Sequence, residues 1–143
     1  MKVRLLLATA AEVRDSLLFV LGGGWSEIGP EAQPIAIAGI IEVTWEETNR
    51  RRRLEFIIED EDGQPLNVPT PTGDQPFRIN ADFDIGRPPG VIAGRSFNLP
   101  IALPLAPLPW APGRSYVVKV NIDGETHDQV PFSVRPLPPQ RPT

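Results

Sequence analysis

The sequence predicts an all-β chain folded as an antiparallel β-sandwich of about eight short strands. Apolar residues alternate with polar ones in segment after segment, which is the period of a half-buried strand and not of a helix. Gly, Pro, Asn and Asp separate these segments at short intervals, as turns between antiparallel strands require. The 18 prolines weigh the same way, because proline is tolerated in corners and on sheet edges but not inside a helix.

The elements follow in order. Val3 to Leu7 opens the series, and Leu17 to Leu21 reads as a buried strand because its five residues are all apolar. Between them, Thr9 to Ser16 is the one helical candidate, and it is short. Ile35, Ile37, Ile41, Val43 and Trp45 share a face opposite Ala36, Ala38, Glu42, Thr44 and Glu46. Leu54, Phe56 and Ile58 oppose Glu55 and Glu59, while Ile79, Ala81, Phe83 and Ile85 oppose Asn80, Asp82 and Asp84. Phe97, Leu99, Ile101 and Leu103 come next. Tyr116, Val118, Val120 and Ile122 oppose Ser115, Lys119 and Asn121, and Val130, Phe132 and Val134 complete the set.

A chain of 143 residues makes one domain, expected over 1–135, followed by a proline-rich tail over 136–143. A net charge of −4 argues against a general nucleic-acid or membrane-surface binder, whose footprint is basic. Zero cysteine excludes disulfides, thiolate metal sites and cysteine nucleophiles. The first ten residues imitate a signal peptide poorly, since Glu12, Arg14 and Asp15 follow at once. The apolar stretch from Val91 to Pro112 is too interrupted by Arg95, Asn98 and prolines for a membrane helix. A cytoplasmic location is the expectation.

Leu108-Pro109-Trp110-Ala111-Pro112-Gly113-Arg114-Ser115-Tyr116 resembles the approach to strand F in fibronectin type III and related immunoglobulin-like sandwiches. The resemblance implies that Tyr116 is a corner tyrosine whose hydroxyl returns to upstream backbone, with Trp110 packed beneath it. The chain is also similar to a group of small bacterial proteins of unknown function. The residues that carry this likeness are Leu21-Gly22-Gly23-Gly24-Trp25, Glu59-Asp60-Glu61-Asp62-Gly63, Gly86-Arg87-Pro88-Pro89-Gly90, Pro112-Gly113 with Tyr116, and Asp123-Gly124-Glu125.

Candidate chemistry is sparse. A phosphate loop would need a helix after Gly22-Gly23-Gly24, and Gly29, Pro30 and Pro34 leave no room for one, so the run reads as a flexible corner. His127, the sole histidine, lies in what reads as the loop Asp123 to Asp128, and no serine sits in a nucleophile-elbow pattern. The carboxylate pairs Asp82 with Asp84 and Glu55 with Glu59 fall on outward faces, where nothing raises a pKa for acid catalysis. Calcium is the sharper alternative. Asp60 and Asp62 concentrate oxygen ligands at one turn and Asp123 lies at another, so a site would form if these loops converged.

Contact surfaces are the favoured expectation. Arg50, Arg51, Arg52 and Arg53 concentrate positive charge in the connection before the Phe56 strand, fit to grip an acidic partner. Pro100 and Pro104 mark Leu99 to Leu105 as an edge strand, with Pro104 and Trp110 beside an uncharged patch that a partner could cover. Pro138 and Pro139 lie in a polyproline-like tail. The sequence therefore points to a non-enzymatic structural or protein-interaction subunit, self-assembling as a homo-oligomer or bound to another protein. A calcium-dependent carbohydrate- or lipid-binding module is the alternative.

Overall fold

A computed structural model describes residues 1–87 and 89–139; Pro88 and residues 140–143 of the expected tail lie outside the described residues. Among the described residues eleven strands stand where about eight were expected: β1 (Lys2–Arg14), β2 (Leu17–Gly23), β3 (Glu27–Ile28), β4 (Ile35–Val43), β5 (Arg52–Asp60), β6 (Asn67–Thr70), β7 (Gly73–Pro76), β8 (Arg78–Phe83), β9 (Phe97–Leu105), β10 (Ser115–Ile122) and β11 (Glu125–Val134). The surplus is β3, β6 and β7, which are too short to show a period.

Two larger sheets run in the orders β2-β1-β4-β9 and β3-β11-β10-β5-β8, and β6 with β7 forms a small ribbon. Neighbours are antiparallel except β3 and β11, which are parallel. The alternation read from sequence sets the inner faces. Ile35, Ile37, Ile41 and Val43 of β4 and Tyr116, Val118, Val120 and Ile122 of β10 are all buried in one cluster that both sheets share. Burying each such side chain stabilises the fold by about 1.5–3 kcal/mol, which is why register is held so firmly.

The tyrosine corner has the expected geometry. The Ala111 N–H donates to the Tyr116 hydroxyl at 2.8 Å, and Trp110 packs against the Tyr116 ring at 5.1 Å and edge-on against Phe132 at 5.0 Å. Trp110 is 7% exposed. Its expected second role, as a partner contact, is therefore corrected: the ring is in the core.

The helical candidate is also corrected, because Thr9 to Arg14 continues β1 as strand. Eight residues nucleate a helix poorly, whereas β2 offers them a full antiparallel ladder. The first half of β1 pairs with β4 and the second half with β2. Along the first half the other edge of β1 faces β11, and the Leu5 N–H donates to Asp128 Oδ2 at 2.8 Å. That bond ties the two sheets together.

Candidate interaction site

Beyond Ala8, β1 leaves β4 and runs on with β2 as a two-stranded arm. Asp15 and Ser16 close it with φ of 51° and 61°, the two positive angles of a hairpin turn whose twist matches the strands. At its base Gly22 and Gly24 have φ of 64° and 89°, values that favour glycine. A Cβ on Gly22 would meet Thr9 Oγ1 at 2.7 Å, and one on Gly23 would meet Val20 at 2.6 Å and Leu6 at 3.0 Å. The Gly24 N–H donates to the Leu7 carbonyl at 2.8 Å, and Trp25 then anchors the chain edge-on against Phe132. The glycine run is thus the corner from which the arm springs.

The arm leans back over the body. In a flat sheet β2 would lie about 10 and 14 Å from β4 and β9, yet it comes within 8 Å of both. Ala8, Ala36 and Ala38 alternate with core residues of β1 and β4 but are 0%, 1% and 0% exposed, so the outer face is covered at these three positions, while Ile40 farther along it is 37% exposed.

The two faces of the arm differ. On the face that carries Leu18, which is half-buried, Val13 and Val20 are 43% and 39% exposed, whereas Leu17, Phe19 and Leu21 on the other face are more exposed at 61%, 49% and 70%. The expected burial of Leu17 to Leu21 is corrected accordingly. Opposite this apolar row on β1 stand Arg14, Glu12 and Ala10, with Glu12 and Arg14 ion-paired at 3.2 Å. A shallow depression of about 400 Å³ is lined by Ala10, Ala11, Glu12, Phe19, Val20 and Leu21. Among the described residues β2 is hydrogen-bonded to β1 alone, so the outer N–H and C=O groups of Leu17–Gly23 form a bare edge.

The other sheet edges are guarded in the ways sheets avoid stray pairing. β9 is an edge strand, as expected, and carries Pro100 and the exposed Pro104. β8 carries Arg78 and Asp82, and β3 is two residues long. From Leu17 to Gly24 there is neither charge nor proline.

The expected arginine cluster is dispersed into the fold. Arg50 and Arg51 lie in the connection, but Arg52 and Arg53 already belong to β5. Arg51 pairs with Asp82 at 3.2 Å and Arg52 with Asp123 at 3.2 Å. Asp123 Oδ1 also accepts the Arg53 N–H at 3.0 Å. That backbone bond, with Arg52 assisting, holds the Asp123 carboxyl below its ordinary pKa.

The three proposed calcium ligands do not converge. Asp123 adjoins one end of β5 and Asp60 closes the other, about 23 Å away along the strand. At the Asp60 end Arg114 takes the cation's place, lying 3.5, 3.2 and 3.1 Å from Asp60, Glu61 and Asp62. Its pairing with Asp62 raises its already high pKa. Asp60 Oδ1 is also spent on the N–H groups of Asp62 and Gln64.

His127 is not in a loop. The turn is Asp123-Gly124 alone, and His127 is half-buried on β11 with Nδ1 3.3 Å from the Met1 carbonyl. Glu59 pairs with Lys119 and Glu55 with Arg78, and Asp82 and Asp84 are exposed. Pro138 and Pro139 are exposed beyond β11.

Residues 4–135 match the model of a family described as a family of unknown function, DUF6941, and the chain belongs to that family. No curated protein matches it.

Proposed function

We propose that this member of the family is a non-enzymatic interaction subunit, an immunoglobulin-like β-sandwich that presents the β1–β2 arm to another protein. The strand order supports the sandwich reading. On this reading β1, β4 and β9 would correspond to strands A, B and E, and β5, β10 and β11 to C, F and G, with Tyr116 at the start of F. The arm is an addition to that frame.

One observation carries the functional reading: an uncharged, proline-free edge strand bears large apolar side chains half to two-thirds exposed. Such an edge is an aggregation site unless a partner covers it. Of the groups that might have served catalysis, Glu55 and Glu59 are held in ion pairs and His127 lies against the Met1 carbonyl. In this reading the arm replaces the arginines as the main contact, and Pro104, Pro138 and Pro139 are secondary contact points.

A photo-crosslinking amino acid placed at Phe19, and separately at Arg78 on the guarded edge β8, tests this in the cells that make the protein. A discrete protein adduct from position 19 and not from position 78 supports the reading. Matching patterns from the two positions overturn it.

A further inference from the structure

The geometry points to a second copy of this chain as the arm's partner, joined edge to edge through antiparallel β2 strands about a two-fold axis at Phe19. This rests on the reading that the arm is a contact surface.

Three features of the arm choose this occupant. The apolar row Leu17, Phe19 and Leu21 lies on the free-edge strand, and the charged pair Glu12 and Arg14 lies one strand inward. Joining two such edges sets the apolar rows side by side and leaves the charges on the flanks in water. Stacking the arms face to face would bury Glu12 and Arg14, at the cost of desolvating both.

The second feature is self-complementarity. With the axis at Phe19, Phe19 faces its own copy, Leu17 faces Leu21 and Leu18 faces Val20, so the five apolar positions pair only with one another, and beyond them Gly22 and Gly23 meet the turn residues Ser16 and Asp15. Moving the axis to Val20 sets Leu17 against Gly23, and moving it to Leu18 sets Leu21 against Asp15. Cross-strand pairs of large apolar residues are the units that stabilise a sheet, whereas glycine contributes none. The third feature is charge. A chain of net −4 repels its copy over most of its surface, and Leu17 to Gly24 is a stretch where no like charges meet.

The area sets the strength. Leu17, Phe19, Val20 and Leu21 on the joined strand are 39–70% exposed, which leaves about 300–400 Å² of side chain in water per copy, given about 150–200 Å² for a large apolar side chain when free. Two copies then bury at most roughly 600–800 Å² of side chain plus backbone, in the range of weak, transient contacts. A contact of that size is expected to be weak and reversible, with the dimer gaining population as the protein is raised from about 1 μM toward 1 mM.

Sedimentation velocity of the untagged protein from about 1 μM to 1 mM reads the association, and the expected result is a monomer–dimer equilibrium. Phe19→Arg is expected to stay monomeric throughout; should it fail to fold, Leu21→Glu, at a 70% exposed position, serves in its place. Register is read with single thiols, since the chain has no cysteine. Phe19→Cys is expected to form a disulfide-linked dimer under mild oxidation. Leu17→Cys and Leu21→Cys are each expected to link slowly alone and rapidly when mixed. A wild-type monomer at 1 mM overturns the proposal, as does a Phe19→Cys rate no greater than that of Leu17→Cys alone. If the protein is monomeric while position 19 crosslinks a different protein in cells, the second copy is overturned and the arm keeps its role. If neither occurs, both readings fall.

Discussion

Replacing Tyr116 with Phe removes one oxygen from the core and leaves the ring in place. That oxygen accepts the Ala111 N–H at 2.8 Å and belongs to a residue 5% exposed. Without it the N–H loses its partner, which costs about 1–3 kcal/mol when no other acceptor is at hand. Ala111 itself is half-buried, so water can reach part of the way, and the lower half of that range, about 1–2 kcal/mol, is expected. For a chain of this length that corresponds to a fall in Tm of about 3–6 °C. Calorimetry gives the shift, and urea unfolding followed by tryptophan emission gives an independent free energy. The packing of the ring against Trp110 and Phe132 survives the change, so the native emission spectrum is expected to stay the same. A Tm within about 1 °C of wild type would refute the reasoning, because the hydroxyl would then hold nothing.

Other perturbations test the surrounding frame. Burial alone would raise the pKa of Glu47, but the Thr44 N–H, the Met1 ammonium at 3.0 Å and the Thr44 hydroxyl outweigh it and hold the group at about 2. Its folded pKa lies below the ordinary 4.5, so its contribution is complete above that pH and is lost as the pH falls toward 2. Urea titrations of wild type and Glu47→Gln are expected to converge over that window. Gly39→Ala would place a Cβ 2.6 Å from the Arg4 carbonyl oxygen and 2.8 Å from Leu5, forcing β1 and β4 apart. A loss of about 1–3 kcal/mol by chemical unfolding is expected. Arg52→Ser removes a partly exposed ion pair with Asp123 and is expected to cost no more than about 1 kcal/mol, with a salt dependence shallower than that of wild type.

The strands that sequence made legible are those long enough to display a period. β4, β5, β8, β9, β10 and β11 each run for six residues or more, and their alternation follows directly from one wet and one buried face. β3, β6 and β7, at two to four residues, fall below that length. The tyrosine corner was legible because a Pro-Gly turn before a tyrosine is a local pattern. His127 was misplaced because the turn preceding it needs only Asp123 and Gly124, both at positive φ. The arm was not legible as such, since an uncharged run such as Leu17 to Leu21 reads alike whether covered by its own fold or left bare for another chain. Its signals were present in retrospect: the missing charge and proline, and three glycines at its base. The acidic turn was read for its oxygens alone. Arg114, fifty residues away in sequence, could be set among them by the fold only.

The most direct test of the bare edge is amide hydrogen exchange along β2 at two protein concentrations, one below and one above the expected midpoint of association. Along Leu17–Leu21 alternate amides face β1, and the others point to the free edge. The free-edge amides are expected to exchange fast in dilute protein and gain protection at the higher concentration, while those of β8 do not change. Fast exchange at both concentrations, or protection already complete in the dilute sample, would contradict this.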